Sequence, residues 1–217
     1  MELLCCKNDF ENALLHYDKA TAFKLLNQFL KEKSKMEFIE GIVVDSLGSI
    51  GDKWEKGEVA LSQVYMSSKV CEEIIESLLP EELNNRKLSL PMAIVTLEDH
   101  HILGKKIVSA VLRSAGYNGL KDYGFGVKTE EVIEKAITDN IKILIISVLM
   151  YPSALKVKEI ADVLHERDSS VKILVGGAPF LIDEQLWKRV GADAMGRNAA
   201  DDIPIIENWI KGEEDHE

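Results

Sequence analysis

The sequence predicts an α/β protein in which an N-terminal four-helix bundle precedes a doubly wound, parallel five-stranded sheet. Two observations carry this prediction. From about residue 8 to 79, apolar side chains recur at spacings of three and four with no strand candidate between them, the pattern of several short packed helices. From residue 90 onward, short apolar and β-branched runs alternate with helix-length segments, the pattern of βαβ units. Right-handed crossovers then put helices on both faces of the sheet, the flavodoxin/Rossmann-like arrangement.

In the helical half (1–80), Leu14, Leu15, Ala22, Leu25, Leu26 and Phe29 mark two segments broken near Asp18 to Thr21. After the charged stretch Lys31 to Lys35, a third runs through Met36, Phe38, Ile39, Ile42, Val43 and Leu47. Gly57 breaks the next turn, and the pattern resumes with Leu61, Val64, Met66, Val70, Ile74 and Leu78. Trp54 stands out within Gly51 to Glu58. Core or inter-helix packing is the default reading for such a side chain, and ligand contact is the alternative. Pro80 ends the bundle, and the polar stretch 81–89 reads as a linker to a second domain, 90–217.

In that domain the strands are expected at Leu90 to Thr96, Ile141 to Ser147 and Val171 to Gly177, with weaker candidates at Gly119 to Tyr123 and Ala192 to Met195. Helices are expected near 104–115, 128–139, 153–166, 182–190 and 199–211. A parallel sheet brings the carboxyl ends of its strands to one edge, where open α/β sheets bind ligands. Three stretches fall there: Asp99-His100-His101-Ile102-Leu103-Gly104-Lys105, Ser147-Val148-Leu149, and Gly176-Gly177-Ala178-Pro179. Asp99, two residues before His101, is placed to take one ring nitrogen and aim the other outward, which suits a metal ligand. The bland alternative is a solvated loop carrying two histidines. Gly104, Gly176 and Gly177 allow close backbone approach, and Ser147 supplies a hydroxyl, so the edge forms a slot.

The 217 residues are 46% hydrophobic, enough for a substantial core. A net charge of -11 argues against a nucleic-acid partner. Cys5, Cys6 and Cys71 include no CxxC pair, and Cys71 reads as a small buried residue, which fits a reducing cytoplasm. No signal-peptide pattern or membrane-length apolar run is visible, so no membrane association is expected.

Asp99-x-His101-x-x-Gly104, then Ser147-x-Leu149, then Gly176-Gly177 resembles the pattern of cobalamin-binding corrinoid proteins of methyltransferase systems, and of the cobalamin module of methionine synthase. Gly191-Ala192-Asp193-Ala194 and Ala199-Ala200 resemble that family's last strand and terminal helix, and Gly51-Asp52-Lys53-Trp54-Glu55 resembles a stretch of its helical module. The resemblance spans nearly the whole chain. It implies a cobalamin or related corrinoid whose own base leaves the cobalt, with His101 as lower axial ligand, Asp99 on its other nitrogen and Ser147 extending the relay. The nucleotide tail is expected in the slot bounded by Gly104, Ser147, Leu149 and Gly176-Gly177, with Ile102 beside it. The helical module, through residues such as Trp54 and Met66, is expected to cover the upper face. The implied function is a methyl carrier between a donor-specific methyltransferase and an acceptor methyltransferase, with a reductive activator as a further partner.

The chain departs from the pattern where many members have Gly before the motif Asp and Asp after the motif His; here Glu98 and Ile102 stand. Met150-Tyr151-Pro152-Ser153 replaces frequent threonines after the second motif. His100 is an additional unknown. Val64-Tyr65 occupies the place where some corrinoid photoreceptors carry a Glu-His upper ligand. A corrinoid-dependent sensor or adaptor without methyl transfer is the alternative. A flavodoxin-like enzyme with another ligand is disfavoured, because no phosphate-binding glycine loop follows the first strand.

Overall fold

A computed structural model describes residues 3–78, 90–117, 119–168 and 170–214. The expected linker, 81–89, lies outside the described residues. The chain divides into two compact units, Met1–Leu79 and Pro80–Glu217.

The first unit comprises α1 (Leu3–Leu15), α2 (Lys19–Phe29), α3 (Lys35–Phe38) and α4 (Asp45–Glu55), then α5 (Leu61–Leu78). A π-helical turn, Ile39–Val44, joins α3 to α4, so four helical rods result. Caps explain two of the boundaries. The Asp18 carboxylate accepts the Thr21 amide at 3.0 Å, and Ser34 forms a reciprocal capping box with Glu37. The core is built on Phe10, Phe29 and Phe38, with Phe38 edge-to-face to both others at 5.3 Å. Cys71 is fully buried, as expected, and burial pushes its thiol pKa up.

One reading of this unit needs correction. Trp54 is not a core residue: it is 46% exposed. It continues the buried stripe of Ser46 and Ile50, but it falls in the last turn of α4, just before the left-handed Gly57. The helix expected from the periodic pattern of α5 is present and is buried on one face. Leu61 and Met66 are exposed, and the packed face is formed by Ser67, Val70, Cys71, Ile74, Ile75 and Leu78.

The second unit runs β1 (Met92–Leu97), α6 (Leu103–Ser114), β2 (Lys121–Val127), α7 (Thr129–Thr138), β3 (Ile143–Ser147), α8 (Tyr151–Arg167), β4 (Lys172–Gly176), α9 (Ala178–Ile182), α10 (Leu186–Arg189), β5 (Ala194–Gly196) and α11 (Ala199–Glu214). All strand pairs are parallel, in the order β2-β1-β3-β4-β5. The chain turns to one side after β1 and to the other after β3, which opens a crevice between their carboxyl ends. Ala93, Val95, Leu144 and Ile146 pack with Val132 of α7 and Val157 and Ile160 of α8 on one face. On the other, Met92, Ile94, Ile143, Ile145 and Leu174 pack with Leu112 of α6 and Ile206 of α11.

β2 lies further along the chain than its apolar pattern suggests. Gly124 and Gly126, at φ 96° and 64°, accommodate irregularities in its pairing with β1 and let the strand reach Val127. The single helix expected near 182–190 is instead two short ones. Pro179 sits in the first turn of α9 directly after Gly177, and α10 follows after a break.

Candidate functional site

β1 ends at Leu97, and the chain turns through Glu98 at φ 49°, a left-handed conformation that costs a residue with a Cβ. Side-chain contacts brace the turn. The Glu98 carboxylate accepts the Thr129 hydroxyl at 3.1 Å and pairs with Lys156, tying the turn to α7 and α8. The Lys156 ammonium, helped by Thr129, holds that carboxyl below its ordinary range.

Asp99 is buried and joins two of the expected stretches. One carboxylate oxygen accepts the His101 amide at 2.8 Å and lies 3.4 Å from its Nδ1; the other accepts the Leu149 amide at 2.9 Å. The imidazole of His101 remains 56% exposed, with Nδ1 on the Asp99 side. Ser147 does not take the second carboxylate oxygen, as the relay had it; the backbone two residues later does. The Ser147 hydroxyl faces Gly104 instead, where a Cβ would lie 3.2 Å from Oγ. Ile102, partly buried, precedes the first turn of α6.

His100 faces elsewhere. Its ring lies over Gly126, where a Cβ would come within 2.7 Å of Cε1, and edge-on to Phe125 at 5.7 Å. The buried Lys105, which sequence reasoning missed, pairs with Asp122 and donates to the Gly124 carbonyl at 3.2 Å, fixing the irregular part of β2 under that ring. Nothing in the sequence marks it, because a lysine in the first turn of an amphipathic helix ordinarily points to solvent.

Strand register lays out the slot. Thr96 pairs with Ser147, Ser147 with Gly176, and Gly176 with Gly196, so four small residues form one row across the carboxyl edge. They share a face with Ile94, Ile145, Leu174 and Ala194, two residues earlier on each strand. Gly177, at φ 117°, takes the backbone so close to β3 that a Cβ would lie 1.8 Å from the Val148 carbonyl oxygen. At the β5 end, Asp202 of α11 meets Gly196, where a Cβ would lie 1.9 Å from Oδ1. Asp202 was not singled out from the sequence; two adjacent aspartates at a helix start read as dipole complements. Burial, with the neighbouring Asp201 charge, pushes its carboxyl up to about 7.

These residues fit a large macrocycle that brings its own metal. The described residues include no cluster of three or more His, Cys, Asp or Glu side chains able to hold a bare ion, and His101 offers an exposed imidazole at the crevice. Phe125, Leu149, Met150, Tyr151, Leu181 and Ile182 are exposed apolar residues at or just beyond the carboxyl ends of β2, β3 and β4. The Thr96 hydroxyl, buried in the row, has no hydrogen-bond partner among the described residues, so the slot retains polar capacity for a guest. Trp54 and Met66 belong to the first unit and are exposed there. No described helix is long and apolar enough to cross a membrane.

Comparison with known proteins agrees with this chemistry. Residues 90–203 match the B12 binding domain model, and residues 7–79 match a second model of the same description. Monomethylamine corrinoid protein 2 of Methanosarcina mazei is 33% identical over 215 residues, covering 94% of this chain and 97% of that protein. Dimethylamine corrinoid protein of Methanosarcina barkeri is 29% identical over 201 residues, covering 90% and 92%. The solved structure of the Methanosarcina barkeri monomethylamine corrinoid protein, 31% identical, superposes with a TM-score of 0.78 and covers 91% of this chain and 94% of that one. The chain belongs to the family of cobalamin-binding corrinoid proteins.

Proposed function

We propose that this protein is a methyl carrier, holding a corrinoid from which a methyl group passes between partner methyltransferases. When bound, the corrinoid supplies a cobalt that accepts and releases the methyl group. His101 is the lower axial ligand in this reading, offering Nε2 while Asp99 keeps Nδ1 occupied and so sets ring orientation and basicity. The Leu149 amide holds Asp99 in turn, which couples the imidazole to the β3 loop. Ile102, Gly104, Ser147, Leu149, Gly176 and Gly177 border the lower side and the slot for the nucleotide tail. The domain 90–217 binds the cofactor, and the helical domain 1–80 offers Trp54 and Met66 to its upper side. A donor-specific methyltransferase, an acceptor methyltransferase and a reductive activator are the partners, in the cytoplasm.

The observation that carries this reading is the Asp99 carboxylate, which fastens the His101 and Leu149 loops together at the crevice between β1 and β3 while leaving the imidazole exposed. The likeness to methylamine corrinoid proteins supports methylamines as the source of the methyl group. The test is reconstitution with hydroxocobalamin, two-electron reduction of the bound cobalt to Co(I) with a low-potential chemical reductant such as titanium(III) citrate, and then methyl exchange with a methylamine-specific methyltransferase. Stoichiometric cobalt and methylation of the bound corrinoid are expected. Cofactor binding without methyl exchange would favour the sensor or adaptor; a colourless protein after reconstitution would refute both.

A further inference from the structure

The row Thr96, Ser147, Gly176, Gly196 ends on a carboxyl group that the proposed function leaves unused. Asp202 is 4% exposed, and no hydrogen bond to its carboxyl is found among the described residues. Its presence dictates its neighbour, since even an alanine Cβ at position 196 would lie 1.9 Å from Oδ1. A glycine and a buried acid are thus fitted to each other at the end of a row of small residues. The opposite end of that row carries the Thr96 hydroxyl, a buried polar atom without a hydrogen-bond partner among the described residues. Keeping a carboxyl so desolvated with no donor to satisfy it is unfavourable, so its retention points to a guest that supplies a partner.

We infer that Asp202 selects the corrinoid by its lower nucleotide base, hydrogen-bonding the polar edge of a base that carries donors and acceptors and disfavouring an apolar one. The inference rests on the corrinoid reading above, and it adds a specificity residue at the far end of the tail slot. The physical ground is asymmetry. A base with an amino group and ring nitrogens gives the acid a partner, in either protonation state. The dimethylbenzimidazole of cobalamin presents two methyl groups and, once its coordinating nitrogen has left the cobalt, one acceptor nitrogen and no donor; seated here, it leaves the ionised acid unpaired. A site built around a hydrogen bond rejects the analogue that cannot make one far more strongly than an apolar pocket rejects an extra polar group.

Three probes test this by equilibrium titration of the full-length apoprotein, followed by the visible spectrum: cobinamide, which has no nucleotide; cobalamin; and the corrinoid with adenine as lower base. The wild type is expected to bind the adenine-based corrinoid about tenfold or more tighter than cobalamin. Asp202→Ala is expected to erase that preference, chiefly by losing the adenine-based corrinoid, while binding cobinamide unchanged. Asp202→Asn, nearly isosteric and still able to hydrogen-bond, is expected to keep a preference for adenine. Equal affinities for the two nucleotide-bearing corrinoids in the wild type would overturn the inference, as would a preference that survives in Asp202→Ala. A uniform loss across all three probes in Asp202→Ala would also overturn it, by showing a structural role. Failure of the wild type to bind any of the three would instead refute the corrinoid reading itself.

Discussion

The two edges of the parallel sheet spend their polar groups differently. At the amino edge the lysines at the starts of β2, β3 and β4 are paired: Lys121 with Asp139, Lys142 with Asp168 and Lys172 with Asp193. Lys142 pairs with Asp168, whose carboxylate also takes the Ser170 amide and hydroxyl at 2.9 and 2.7 Å and is held far below the ordinary carboxylate range. Asp193 binds His165 Nε2 at 3.1 Å, Lys172 at 3.2 Å and the Ile173 amide at 2.8 Å. At the carboxyl edge the His101 ring is largely exposed, the Thr96 hydroxyl is buried without a hydrogen-bond partner among the described residues, and Asp202 is buried with a raised pKa. Both edges hold a histidine near an aspartate, so residue type does not separate them. What separates them is incomplete satisfaction, the state expected of a surface shaped for a guest.

The sharpest way to break the carboxyl edge is Gly177→Ala. The left-handed φ and the collision with the Val148 carbonyl act together, and a loss of roughly 3–5 kcal/mol is expected in urea unfolding. Asp202 gives the next largest effect, through pH. Its folded pKa, raised to about 7, lies above the unfolded carboxylate value of about 4, so the folded state binds the extra proton between them. The stability this confers is fully present below pH about 4 and is lost as pH rises through 7, on the order of 4 kcal/mol in all. Apoprotein unfolded at pH 5 and pH 8 should show that slope, and Asp202→Asn should flatten it.

Asp193→Ala tests the amino edge in contrast. It strips partners from His165, Lys172 and the Ile173 amide, and a cost of about 2 kcal/mol is expected with corrinoid affinity unchanged in a cobalamin titration. Altered affinity would dissolve the distinction between the edges. Glu98→Gly should move stability least, within about 1 kcal/mol. It relieves a left-handed Cβ but removes the brace to Thr129 and the largely exposed Lys156, and thermal unfolding would show the balance.

The carboxyl edge was more legible in the sequence than the slot behind it. β1, β3 and β4 are continuous apolar runs, and the residues just after them name themselves because histidine, aspartate and paired glycines punctuate such runs. β2 was misjudged in extent because its glycines obscure an alternating pattern that tertiary pairing sustains. The default packing reading of Trp54 fails because a helical stripe does not reveal where the neighbouring helix ends. Gly196 and Asp202 were invisible for a different reason. Each is ordinary alone, and their fit exists only once strand register and the start of α11 place the acid over the glycine. Lys105 and Asp122 likewise meet only through the pairing of α6 with an irregular β2. Glu98 was noted as a departure from the family pattern, but its brace joins residues 31 and 58 positions away.

The central claim is that one imidazole, His101, reaches the cobalt from below while its neighbour His100 stays on Phe125 and Gly126. Electron paramagnetic resonance of the reconstituted protein, reduced by one electron to the Co(II) state with a corrinoid whose own lower base carries ¹⁵N, measures this directly. The account predicts ¹⁴N splitting from a single protein nitrogen, lost in His101→Ala and retained in His100→Ala. A ¹⁵N pattern in the wild type, or ¹⁴N splitting that survives in His101→Ala, would contradict it.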